Sequence, residues 1–282
     1  MKNLKFLSLV PALGLFAVPL EAAVFAFSAD FEALVADSDL NGQGGWTTTE
    51  STPLATYVSP ASGIYGTKSG FIGYEPSVSS GEVYTKNTFG GVTNLANAQF
   101  SVLFEMADSS NAQPNRDTFG FRLKDSSGTN LFSIFLNPEL QSGTPAAPGD
   151  VGRWKLAYTT GSGAQVPLYS NPEQTLVWAV EESTIADPAT YAMTISFAEL
   201  GLSGDVQMNI ALNGLTIGGG VLDGLASSSI NEVGAFWRPT VGPSATGDNG
   251  MFFDNVTVVP EPGVAGLAGL AGLLCLMVRR RA

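Results

Sequence analysis

Apolar and polar residues exchange places with a period of two along stretch after stretch of this chain, and that pattern decides what it can fold into. Phe100, Val102, Phe104 and Met106 fall on one side of an extended backbone, as do Phe119, Phe121 and Leu123, opposite Thr118, Arg122 and Lys124. Tyr191, Met193, Ile195 and Phe197 oppose Thr194 and Ser196, and Val206, Met208, Ile210 and Leu212 oppose Gln207, Asn209 and Asn213. Successive side chains of a strand point to opposite faces of its sheet, so each stretch predicts a strand with one face to bury. Turn formers such as Asp125–Ser126–Ser127–Gly128 and Gly161–Ser162–Gly163 lie between them and suit hairpins. Helical periodicity is nearly absent, with Phe197–Leu202 a short candidate for at most one turn. Many half-apolar strands predict an all-β domain of two antiparallel sheets packed face to face.

Composition removes whole classes of chemistry. The 282 residues include no histidine, which excludes a Ser–His–Asp triad, a Cys–His dyad and any imidazole-ligated metal. The single Cys275 cannot form an intramolecular disulfide, so stability must come from packing. Between Phe27 and Val259 there are 8 Lys and Arg against 23 Asp and Glu, an acidic balance that argues against a nucleic-acid partner.

Both ends are apolar and flanked by cations. Met1–Ala26 opens with Lys2 and Lys5, runs apolar from Phe6 to Leu20 and reaches small residues at Ala22, Ala23 and Ala26, the pattern of a secretory signal peptide cleaved between residues 22 and 26. A retained anchor is the alternative, but Pro11 and Pro19 break the run, which is short of the roughly 20 residues a bilayer requires. At the other end Pro260–Glu261–Pro262 precedes the uncharged run Gly263–Val278, and Arg279, Arg280 and Arg281 follow. As a helix this run reaches about 24 Å, a little short of a ~30 Å hydrocarbon core, with the arginines on the cytoplasmic side.

Motif, apolar run and basic end together resemble the PEP-CTERM sorting signal of exopolysaccharide-producing Gram-negative bacteria. The resemblance covers 260–282 and implies handling rather than chemistry: recognition in the inner membrane by an exosortase-like processing enzyme, cleavage near the Pro–Glu–Pro, and delivery to the cell-envelope surface or extracellular matrix. A permanent tail anchor is the alternative, and Cys275 is read as an inert apolar residue rather than a lipidation point. The chain then divides into a signal peptide (1–23), a β-sandwich domain (24–259) and a sorting segment (260–282) with a transmembrane helix at 263–278.

The body carries a resemblance of its own. Asp30–Phe31–Glu32 with Leu40–Asn41–Gly42–Gln43–Gly44–Gly45–Trp46, and at the end Phe252–Phe253–Asp254–Asn255–Val256–Thr257–Val258, look like the opening and closing of the concanavalin A-like jelly rolls of bacterial surface proteins. Phe119–Leu123 and Leu131–Leu136 fit as core strands between them. The resemblance implies a lectin-like jelly-roll β-sandwich in which the first and last strands are neighbours.

Hydrolases of this fold need two carboxylates roughly 5 to 10 Å apart. The spacing Glu-x-Asp-x-x-Glu used by one such family is absent; Glu105 and Asp108 run into a polar turn, and adjacent Glu181 and Glu182 point to opposite faces, so both pairs read as solvated acids. Glycan binding asks for an aromatic platform and a few polar groups. Trp154 alternates with Leu156 and Tyr158, and Trp178 with Leu176 and Val180, which places both in the core. Trp46, after a glycine-rich turn, and Trp237, before Arg238–Pro239, are the candidates for glycan contact, against the alternative that each covers the core.

For calcium, Asp37–Gly42 has alternating acids, but Thr48 stands where a calcium loop needs its twelfth-position Glu. Asp254 shares a strand face with Phe252, Val256 and Val258 and is expected to point inward, where Asp30 or Glu32 could meet it around one calcium ion. The alternative is a plain hydrogen-bonded aspartate. The reading that combines these features is a non-enzymatic exported protein that associates with exopolysaccharide through a lectin-like domain. Two others stand beside it: a glycan hydrolase or lyase using carboxylates or a tyrosine, and a structural surface protein without glycan binding.

Overall fold

A computed structural model describes residues 27–260 apart from 50–54, 61–66, 74–80, 109–116, 139–152, 162, 169–178, 182–188, 202 and 240–248. The signal peptide, Glu261, Pro262, the apolar run 263–278 and Arg279–Arg281 lie outside the described residues, as does Trp178. What is described is all β: sixteen strands, numbered here in chain order, and no helix.

The first sheet runs β14 (Leu215–Leu222), β13 (Asp205–Leu212), β12 (Tyr191–Leu200), β6 (Asn97–Asp108), β16 (Asn249–Pro260), β4 (Ser69–Gly73), β3 (Thr56–Ser59), and β1 (Phe27–Ala29) adds to β16. The second runs β10 (Val166–Pro167), β9 (Arg153–Thr160), β8 (Asn130–Pro138), β7 (Thr118–Lys124), β15 (Ser229–Arg238), β5 (Val83–Asn94), β2 (Trp46–Thr48), and β11 (Ala179–Glu181) adds to β9. Neighbouring strands pair antiparallel throughout, and β1 meets β16 as Phe27 with Val258 and Ala29 with Val256. First and last described strands are therefore neighbours.

The alternation read from the sequence is what the sheets bury. Phe100, Val102, Phe104 and Met106 of β6, Phe119, Phe121 and Leu123 of β7, and Met193, Ile195 and Phe197 of β12 are all buried between the two layers. The hairpin joining β7 to β8 closes as expected, with Asp125 Oδ1 accepting from the backbone N–H of Ser127 at 2.9 Å and of Thr129 at 2.8 Å. Of the helical candidate Phe197–Leu202, Leu202 lies outside the described residues and 197–200 are strand: β12 runs on to Leu200, paired with Asp205 of β13, because Phe197 continues the period-two burial.

One departure changes the reading of the last strand. Between Asp254 and Thr257 the register with β6 slips, and Asn255 takes a left-handed backbone, φ 49°. This bulge reverses the phase, so the inward side chains are Met251 and Phe253 before it and Val256 and Val258 after it. Phe252 is turned to the other side of the sheet against Phe71, ring centroids 4.9 Å apart, rather than sharing an inward face with Asp254. Phe253 is 0% exposed and meets Phe31 at 5.3 Å, Trp46 at 5.7 Å and Phe121 at 6.2 Å.

The bulge makes a direct prediction. Phe253→Ala should lower unfolding free energy by about 3 to 5 kcal/mol, and Phe252→Ala, half-buried on the outer side, by about 1 kcal/mol. Urea unfolding of the two variants checks it, since an unbulged strand would reverse their order.

Candidate functional site

The outward face of the second sheet is not a plain solvated surface. Tyr84, Phe135, Ala157 and Phe236 form a small buried apolar cluster on it, separate from the main core. Two glycines make the room: a Cβ on Gly120 would come within 2.5 Å of Phe236 Cζ, and one on Gly234 within 2.5 Å of Tyr84 Cε2. Phe135 and Phe236 meet edge to face at 5.2 Å.

Cations cap these rings. Arg122 stands 4.7 Å from the Phe236 centroid and 5.1 Å from that of Tyr84, Arg238 stands 5.2 Å from both Phe135 and Phe236, and Lys124 is 4.3 Å from Tyr84. Strand alternation puts them there: Arg122 and Lys124 are the outward residues of β7, and Arg238 follows Phe236 by two on β15. Four of the eight Lys and Arg between Phe27 and Val259 take part in this array, counting Lys86.

Two carboxylates hold the array. Glu82 takes a bidentate contact from Arg122 at 2.7 and 3.0 Å and one from Arg238 Nε at 2.7 Å. Glu232 takes Lys86 at 2.7 Å, Lys124 at 3.1 Å and the Tyr84 hydroxyl at 2.9 Å. Burial pushes the Glu82 carboxyl up, but hydrogen bonds from Arg122 and Arg238 outweigh it and hold it below the ordinary range. Burial likewise opposes the three donors at Glu232, which together hold that carboxyl down. Tyr84 is 4% exposed, and burial together with the Glu232 charge raises its hydroxyl well above the usual tyrosine range. Beside the array opens a cleft of about 310 Å³, lined by Arg122, Lys124 and Arg238 together with Asn130, Ser133, Phe135, Thr159 and Gln165.

Neither tryptophan expected to touch glycan lies on a surface. Trp46 and Trp237 are each 1% exposed. Trp237 is an inward residue of β15, in phase with Val233 and Ala235, and its indole N–H donates to Asp117 Oδ2 at 2.8 Å, while Trp154 donates to the Asp117 carbonyl at 3.0 Å. Trp46 stacks on Phe31 at 5.4 Å. Both are core. Glu105, read as a solvated acid, is wholly buried and accepts from Thr190 Oγ1.

Asp30 and Glu32, where β1 ends beside the β16 bulge, lie near enough to Asp254 for their charges to act on it. Asp254 accepts from Asn255 N–H at 2.7 Å and from Thr67 Oγ1 at 3.4 Å, and Glu32 accepts from Lys68 N–H at 2.9 Å. Burial raises the Asp254 pKa to about 6, helped by the charges of Glu32 and Asp30. Among the described residues no three acidic side chains converge closely enough to hold a metal ion. The Asp37–Gly42 segment is a turn in which Asp39 Oδ1 accepts from Asn41 N–H at 2.9 Å.

No protein-family profile and no curated protein matches the sequence. Among solved structures, the alginate lyase Aly36B, a double mutant in complex with alginate trisaccharide, superposes with a TM-score of 0.51 at 11% identity, over 85% of this chain and 99% of its own. The carbohydrate recognition domain of Emp47p gives 0.48 at 8% identity, over 84% and 96%. The CBM2 module of the evolved Dit of Lactobacillus casei BL23 phage J-1 gives 0.44 at 13%, over 82% and 95%. At such identities the likeness to Aly36B is one of fold alone, a sandwich of two antiparallel sheets.

The acid cluster and the cation array titrate with opposite sign. A carboxyl whose folded pKa is raised binds its proton more tightly folded than unfolded, so its contribution to stability falls as pH rises from 3.8 to about 6. Asp254→Asn should therefore gain on the wild type across that window, by up to about 3 kcal/mol at pH 7. Unfolding free energies of both proteins at pH 4 and pH 7 check this; a calcium ion seated among the three acids would remove the difference. Glu82→Gln should instead cost about 1 to 2 kcal/mol at neutral pH, a loss that shrinks as pH falls through the carboxylate range.

Proposed function

We propose that this is an exported, non-enzymatic protein of the cell surface or extracellular matrix that binds exopolysaccharide through the outward face of its second sheet. The observation that carries the reading is the cleft beside a ring cluster capped by fixed cations, where the half-exposed Arg238 and the exposed Gln165 can reach sugar hydroxyls, while Ser133 and Thr159 beneath them are buried and bonded to Asn130 and Gly163. Sharing a fold with Aly36B, which holds an alginate trisaccharide, supports a sugar as the ligand class.

The chemistry of the face favours binding over turnover. A glycosidase needs one carboxyl kept protonated near neutral pH as its acid. Glu82 and Glu232 are both held ionised by their cations. Tyr84, shielded and committed to Glu232, is poorly placed to act as the base of a lyase. Asp254, the acid with the raised pKa, is 4% exposed and does not line the cleft.

Export and sorting rest on the two ends: the signal-peptide pattern of Met1–Ala26 and the Pro260–Glu261–Pro262, apolar, Arg279–Arg281 order of the tail. An exosortase-like enzyme is the proposed processing partner, with membrane contact through the tail before cleavage. Intact mass of the protein from fractionated host cells tests this half: a matrix species ending near Pro262 is expected, and a full-length chain retained in the inner membrane would overturn it. Affinity electrophoresis in gels containing the host exopolysaccharide tests the other half, with retardation expected. Self-association in calcium without retardation would favour a structural surface protein instead.

A further inference from the structure

We infer that the cleft on the second sheet selects polysaccharides carrying carboxylate groups, a uronate-containing polymer rather than a neutral one; this rests on the glycan-binding reading above and names its ligand class. Charge distribution is the first argument. In a body with 23 acidic and 8 basic residues, half of the cations belong to this one array. Arg122 and Arg238 share the single charge of Glu82, and Lys86 and Lys124 share that of Glu232, so among the described residues each carboxylate leaves one positive charge over. Among the described residues the cleft lining takes Arg122, Lys124 and Arg238 and no acid. An acidic protein that gathers unbalanced cations around a cleft has built a place for an anion.

Geometry is the second argument. Arg122 and Arg238 flank one ring, Phe236, and both are tethered through Glu82, so little side-chain freedom remains to be lost when a ligand arrives. Arg122 spends its fork on Glu82 and its Nε on Ser133, so it supplies charge, whereas Arg238, bonded to Glu82 through Nε alone, can match a ligand carboxylate in a planar, two-bond contact. Arg238 keeps 42% of its side chain exposed while its Nε bonds Glu82, which leaves the outer part of the fork facing solvent. Neutral sugars gain nothing from that excess charge, whereas one carboxylate per ring along a polymer neutralises it.

The test uses the purified full chain at 0.15 M NaCl, where a Debye length of about 8 Å confines the repulsion of the acidic body to its surface. Binding is measured to polygalacturonate, to the same polymer fully methyl-esterified, and to neutral dextran. Polygalacturonate should bind at least about tenfold more tightly than its ester, and 1 M NaCl should weaken it by about tenfold or more. Lys124→Gln with Arg238→Gln should lose about tenfold on the charged polymer with melting temperature retained; should that variant unfold, the comparison of acid with ester decides alone. Equal binding to acid and ester, or binding to dextran only, overturns the inference and leaves the glycan-binding reading standing. Binding to none of the three overturns both.

Discussion

Phe253 is where the two sheets are held to each other. It belongs to the first sheet, yet its ring reaches Trp46 and Phe121 of the second and Phe31 from the turn after β1. With no histidine cluster, no disulfide and no helix among the described residues, this interlayer burial is the main source of cohesion. The bulge at Asp254–Asn255 then lets a strand that begins with one phase end with the other, keeping Met251 and Phe253 as well as Val256 and Val258 in the core.

What happens on the outside of the second sheet follows from what is fixed inside it. Phe119, Phe121 and Leu123 lock the phase of β7, and that alone sends Arg122 and Lys124 outward; Val233, Ala235 and Trp237 do the same for Phe236 and Arg238 on β15. Apolar packing on the opposite face thus sends the cations outward, and Glu82 and Glu232 fix their head groups. Gly120 and Gly234, in the two central strands, clear the space into which the rings under the cations settle.

The layers and the outward direction of Arg122 and Lys124 were legible because period-two alternation is a local signal. The site was not, because its members lie far apart in the chain: Glu82 meets Arg238 across 156 positions and Tyr84 meets Glu232 across 148. Only strand order brings β5, β15 and β7 side by side, and strand order is a tertiary fact. Trp46 and Trp237 misled for a related reason. Flanking glycine and proline suggested loops, whereas each indole belongs to the inward phase of a strand edge. The bulge in β16 was equally hidden, and the parity it breaks is what misdirected Phe252 and Asp254. Proximity of Asp30 and Glu32 to Asp254, by contrast, followed from the adjacency of the opening and closing strands that the jelly-roll resemblance implied.

The position of β16 has a consequence for how the chain comes to be folded at all. Its residues 249–260 are the last to be synthesised of the described domain, yet they lie in the middle of a sheet, with β6 on one side and β4 and β1 on the other. Until they emerge, the strands on either side have no common partner, and Phe31, Trp46 and Phe121 have no Phe253 to close on. Such pairing over long sequence separations is slow and leaves apolar edges open in the meantime. A translation product that stops short of residue 249 would therefore lack the strand that joins β6 to β4 and remain open to proteases.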